Sequence, residues 1–122
     1  MPKKILIVED NKDMQEIYRN YFDAHKEEYE IEIEGSAEMA LEKAKGNDYD
    51  LIVLDIIMEP MTGESFLVYA RQNPKTKDTP ILVVSVLSPE MLAQLKKYPN
   101  VQFMQKPVPE DKLIGRLDSM LA

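Results

Sequence analysis

The stretch Leu51-Ile52-Val53-Leu54-Asp55 sets four aliphatic residues in unbroken succession and then a carboxylate. A short run of this kind, with no polar residue at alternate positions, reads as a strand buried on both faces of a sheet. Asp55 then stands at the strand's carboxyl end, where open α/β sheets bind their ligands. The segment Ile56-Ile57-Met58-Glu59-Pro60-Met61-Thr62-Gly63 cannot prolong the strand. Pro60 has no N–H to donate and Gly63 admits backbone angles closed to other residues, so the chain turns here. Taken alone, an aspartate at this place is an ordinary polar cap on a core strand. Its meaning depends on how the other strands end.

Lys4-Ile5-Leu6-Ile7-Val8 is a second continuous apolar run, and it ends in the adjacent carboxylates Glu9-Asp10. Asn11 suits the N-cap of a helix in which Met14, Ile17, Tyr18, Tyr21 and Phe22 recur at helical spacing. That helix closes near Ala24-His25, and His25, the only histidine, reads as a helix-end residue. Tyr29-Glu30-Ile31-Glu32-Ile33-Glu34 alternates strictly, the pattern of a strand with one exposed face at a sheet edge. Gly35-Ser36 turns and caps a helix whose apolar residues Ala37, Ala40, Leu41 and Ala44 are small enough to lie close against a sheet.

Downstream of Asp55, a third helix from about Gly63 turns Phe66, Leu67 and Ala70 inward and stops at Asn73-Pro74. Ile81-Leu82-Val83-Val84 is a fourth strand ending in Ser85, and Ser88-Pro89-Glu90 opens a fourth helix, which Tyr98-Pro99-Asn100 breaks. Val101-Gln102-Phe103-Met104 is a fifth strand leading into Gln105-Lys106-Pro107. Pro109-Glu110-Asp111 starts a last helix with the apolar face Leu113, Ile114, Leu117, Met120 and Leu121. Strands alternating with helices predict a parallel sheet covered on both faces. The alternating second strand belongs at an edge and the continuous runs inside. That matches a flavodoxin-like, doubly wound sandwich of five strands in the order 2-1-3-4-5.

At 122 residues the chain reads as one domain over its full length. It has no cysteine, which excludes disulfides and thiolate metal sites. A formal charge of −7 argues against nucleic-acid binding by this domain, because phosphate backbones need clustered Lys and Arg. No apolar run approaches the roughly 18 residues of a membrane span, and no signal peptide precedes Ile5, so a cytoplasmic location without membrane contact is expected.

The predicted fold collects Glu9, Asp10, Asp55, Ser85 and Lys106 at one end of the sheet. Carboxylates about 4 Å apart repel by roughly 4 kcal/mol per pair at an effective dielectric near 20, so such a cluster calls for a cation. Oxygen ligands without His or Cys select a hard ion such as Mg²⁺. Lys106 adds a fixed positive charge and Ser85 a hydroxyl. Set about a carboxylate, these groups make a site for a phosphoryl group, with the carboxylate as nucleophile.

On these residues the chain resembles the receiver domain of two-component response regulators. The resemblance covers essentially all of it: Glu9-Asp10 after the first strand, Asp55 after the third, Met58, Met61 and Gly63 in the loop beyond, Ser85 at the end of the fourth, and Lys106-Pro107 after the fifth. The resemblance implies that Asp55 is the phospho-acceptor. It also implies that Glu9, Asp10, Asp55 and the backbone carbonyl of Ile57 bind Mg²⁺, and that Ser85 and Lys106 hold phosphoryl oxygens. Ser85 and Phe103 would form the switch, and the Lys106-Pro107 peptide would be cis. The implied partners are a sensor histidine kinase or phosphotransfer protein and a downstream protein target; the residues do not fix the oligomeric state, and a homodimer stays open.

The sequence departs from the family pattern at three places. Glu59 precedes Pro60 where the family usually has Pro four residues after the Asp; Val86 stands where Ala or Gly is usual; and Phe103 replaces the more frequent Tyr. A degenerate receiver, binding partners without being phosphorylated, is therefore the alternative reading. A metal-dependent phosphatase with an Asp nucleophile would call for a second Asp two residues on, where Ile57 stands. With no segment after the last helix, the chain reads as a stand-alone or excised receiver.

Overall fold

Strands and helices alternate through residues 1–56 and 63–122, which the computed structural model describes. They are β1 (Lys3–Val8), α1 (Lys12–Asp23), β2 (Tyr29–Glu34), α2 (Ala37–Gly46), β3 (Leu51–Leu54), α3 (Gly63–Gln72), β4 (Ile81–Ser85), α4 (Pro89–Leu95), β5 (Val101–Gln105) and α5 (Glu110–Met120). All strand pairs are parallel, in the order β2-β1-β3-β4-β5, as the sequence predicts.

The period of two along each strand divides the core in two. Leu6, Val8, Ile52, Leu54, Ile81 and Val83 face one side, where Ala40 and Ala44 of α2, Phe66 and Leu67 of α3 and Leu95 of α4 pack on them. Ile5, Ile7, Leu51, Val53, Leu82 and Val84 face the other, against Tyr18 and Phe22 of α1 and Leu113, Ile114 and Leu117 of α5. Each fully buried aliphatic side chain here contributes about 1.5–3 kcal/mol of transfer free energy. These apolar strands therefore form a firm platform for the polar groups at their tips.

Caps fall where the sequence sets them. The side chains of Asn11, Ser36 and Ser88 accept from the backbone N–H groups of Met14, Met39 and Met91, satisfying donors that a helix start leaves open. At the opposite end of the sheet, Arg71 donates to three main-chain carbonyls, Nε to Pro99 at 3.0 Å, Nη1 to Thr76 at 2.9 Å and Nη2 to Asn100 at 3.1 Å. Asn100 takes φ 57°, a left-handed conformation that asparagine tolerates in tight turns.

Four details differ from the sequence reading. α4 ends at Leu95, three residues before Tyr98, and the chain closes in turns there, with Lys96 N donating to Leu92 O and Tyr98 N to Leu95 O. β5 reaches Gln105, one residue beyond Met104, since Gln105 still pairs with Ser85. Glu32 and Glu34 on β2 are only half-exposed: Tyr49 donates to Glu32, and Lys43 Nζ lies 2.9 Å from Glu34. Ile17 is 38% exposed, because its part of α1 rims the carboxyl end of the sheet and does not lie on it. Among the described residues, no helix is long and apolar enough to cross a membrane.

Candidate functional site

The strand register brings the expected groups to one end. Asp55 N donates to Val8 O at 3.1 Å, which sets Asp55 beside the end of β1. Lys106 N donates to Ser85 O at 3.0 Å, which sets Lys106 beside the end of β4.

Glu9 is 1% exposed, and both its carboxylate oxygens are engaged: Oε1 receives Lys106 Nζ at 2.9 Å and Oε2 receives Asn11 N at 3.2 Å. Gln15 Nε2 donates to the Glu9 carbonyl at 2.6 Å. Burial pushes the Glu9 carboxyl above its ordinary value. The Lys106 hydrogen bond opposes that shift, and the neighbouring Asp55 charge adds to it. Asp10 is exposed at the cleft.

Asp55 is 8% exposed. Ser85 Oγ donates to its Oδ1 at 2.8 Å and Lys106 Nζ to its Oδ2 at 3.2 Å, so the carboxylate is held from both sides. The Lys106 ammonium is pulled two ways: burial disfavours its charge, while the contacts to Glu9 and Asp55 favour it. Its affinity for the proton rises overall. The Lys106–Pro107 peptide is cis. Asp13, Met14, Ile17 and Val86 complete the rim of the cleft over these groups.

One oxygen from each of Glu9, Asp10 and Asp55 can be chosen so that all three lie within 4.8 Å of one another. The donors are all oxygen, which fits a hard divalent cation such as Mg²⁺. Ile57, Met58, Glu59, Pro60 and Met61, which the sequence reading assigned to the loop after Asp55, lie outside the described residues. Phe103 is half-buried and, like Leu87 and Met91, packs against the core cluster on the α3–α4 side of the sheet. The pairing of Gln105 with Leu87 and the support of Glu9 by Asn11 and Gln15 were not foreseen. They depend on side chains reaching main-chain atoms, which leaves no periodic mark in a sequence.

The model of the response regulator receiver domain matches residues 5–118. The response regulator ArlR of Staphylococcus saprophyticus is 32% identical over 120 residues, which make up 97% of this chain and 52% of that protein. This chain thus spans about half the length of the curated response regulators it matches. The structure of the Vibrio cholerae chemotaxis protein CheY4 superposes with a TM-score of 0.90 at 28% identity, covering 99% of this chain and 100% of that one. The receiver domain of a Pseudomonas aeruginosa sensor histidine kinase, solved with a magnesium ion coordinated in its active site cleft, shares the fold. Its TM-score is 0.88 at 20% identity, over 99% of this chain and 98% of that one. The family match leaves only the first four and the last four residues outside it, and the chain belongs to the response regulator receiver domains.

Proposed function

We propose that Asp55 accepts a phosphoryl group from a histidine kinase or phosphotransfer protein, and that the modified domain presents a changed surface to a downstream protein. The observation that carries this reading is the grip on Asp55: hydroxyl on one oxygen at 2.8 Å, ammonium on the other at 3.2 Å, beside further carboxylates. In the reaction an Asp55 oxygen attacks phosphorus, the bond from phosphorus to the donor's nitrogen or oxygen breaks, and the leaving group takes up a proton. Lys106 and Ser85 would meet the phosphoryl oxygens. Asp10 and Asp55, with Glu9 and the Ile57 carbonyl, would hold Mg²⁺. When bound, that ion supplies positive charge against which carboxylate and phosphoryl oxygens can approach one another. The chemistry is limited to the chain's own modification and its reversal.

In the switch we propose, Ser85 follows the phosphoryl group and Phe103 follows Ser85. The half-buried Phe103 ring, at the margin of the core cluster, can settle into space that the hydroxyl leaves.

Intact mass measurement after incubation with acetyl phosphate and Mg²⁺ tests the acceptor. Wild type should gain the mass of one phosphoryl group and Asp55→Asn should gain none. Uptake by Asp55→Asn would place the acceptor elsewhere, and no uptake by wild type would favour an unphosphorylated interaction module.

A further inference from the structure

The side-chain amide of Gln105, the last residue of β5, closes a two-bond ring with the main chain of Leu87. Leu87 N donates to Gln105 Oε1 at 2.6 Å, and Gln105 Nε2 donates to the Leu87 carbonyl at 2.9 Å. A primary amide carries an acceptor and a donor side by side, so it can stand in for the peptide of a neighbouring strand. The β4–β5 ladder ends with Ser85 opposite Gln105. The Gln105 side chain carries sheet-like pairing two residues further, into the loop before α4.

Both ends of this clamp adjoin the site. Val86, between Ser85 and Leu87, is 61% exposed and rims the cleft that contains Asp55. Lys106, directly after Gln105, places its ammonium 3.2 Å from Asp55 Oδ2. One side chain therefore ties the rim of the cleft to the strand end that supplies its positive charge.

We propose that Gln105 is a positioning residue for the phosphoryl chemistry: by holding Leu87 it keeps Val86 over the mouth of the cleft and so sets the lifetime of the phosphoryl group. The inference rests on Asp55 being the acceptor. In hydrolysis a water oxygen attacks phosphorus in line with its bond to the Asp55 oxygen. That bond breaks, the carboxylate is regenerated, and inorganic phosphate and a proton leave. The branched Val86 side chain is restricted about χ1, so its position over the cleft follows chiefly from its backbone. Release of Leu87 frees that backbone, and water and donor then enter more readily.

Gln105→Leu removes both hydrogen bonds at similar side-chain length. After loading with acetyl phosphate and removal of the donor, it should lose phosphoryl mass up to about tenfold faster than wild type, the effect of ~1.4 kcal/mol on a barrier. Its Leu87 amide should also exchange with deuterium faster before any phosphorylation. Because Gln105 acts through Val86, Gln105→Leu should alter the lifetime by no more than about twofold in a Val86→Ala background. A general loss of stability would act equally in both backgrounds. If Gln105→Leu does not fold, Gln105→Glu replaces it: its carboxylate still accepts from Leu87 N but meets the Leu87 carbonyl without a donor, and it should shorten the lifetime in the same direction. Equal lifetimes for wild type and variant, or the same fold-change in both backgrounds, overturn the proposal. A wild-type chain that takes up no phosphoryl group removes the acceptor reading and this proposal together.

Discussion

Ser85 Oγ donates to Asp55 Oδ1 at 2.8 Å from a side chain with no solvent exposure. The hydroxyl is thus bonded to the very carboxylate that a phosphoryl group would occupy, and phosphorylation offers it a new acceptor nearby. Chemical-shift changes on phosphorylation should cluster in Val84–Leu95 and Val101–Lys106. In Ser85→Ala they should stop short of Phe103 while Asp55 still gains phosphoryl mass. Changes confined to Met58–Gly63 would argue against this route.

Mg²⁺ should raise the melting temperature, because a ligand that binds only the folded chain stabilises it in proportion to the logarithm of its concentration above Kd. The physical source is relief of repulsion among Glu9, Asp10 and Asp55, whose oxygens gather within 4.8 Å. Asp10→Asn should lose most of the response. Melting curves over a Mg²⁺ titration of the two proteins check this, and an undiminished response in the variant would refute the metal assignment.

Val86→Ala should speed both phosphoryl uptake and hydrolysis by about tenfold, since it opens the rim through which donor and water pass. Time courses of intact mass in both directions measure the two rates. Equal hydrolysis rates in wild type and variant would show that Val86 guards nothing.

The fold was legible because apolar runs, capping residues and turn signals all agree along this chain. Leu51–Leu54 and Ile5–Val8 could only be interior strands, and Glu9, Asp10, Asp55, Ser85 and Lys106 follow strand ends directly, so the topology alone brings them together. What escaped was the division of labour within the cluster. Nothing in the letters Glu9-Asp10 says that the first is buried with both oxygens engaged and the second exposed. That outcome follows from the inward turn of one side chain at the end of β1. Ile17 was misread for a related reason: helical spacing identifies a stripe, but it does not tell where the stripe runs past the edge of the sheet.

Alkaline pH should destabilise the domain through two buried tyrosines. Tyr29 donates to Asp118 and Tyr49 to Glu32, and each is held protonated well above the ordinary tyrosine range, first by burial and then by that hydrogen bond. A group whose proton is held more tightly in the folded chain contributes fully below its unfolded value and loses that contribution as pH rises. Stability should therefore be level up to about pH 10 and fall above it. Urea midpoints for wild type, Tyr29→Phe and Tyr49→Phe test this. Each variant should lose about 1 kcal/mol near neutrality and show a shallower alkaline decline.

Arg71 gathers carbonyls from the two turns that lead into β4 and β5, the strands that carry Ser85 and Lys106 at their far ends. Both strands are moored where they enter the sheet. A disturbance begun at Asp55 is therefore expected to swing the strand tips about Arg71 in place of sliding them along their length.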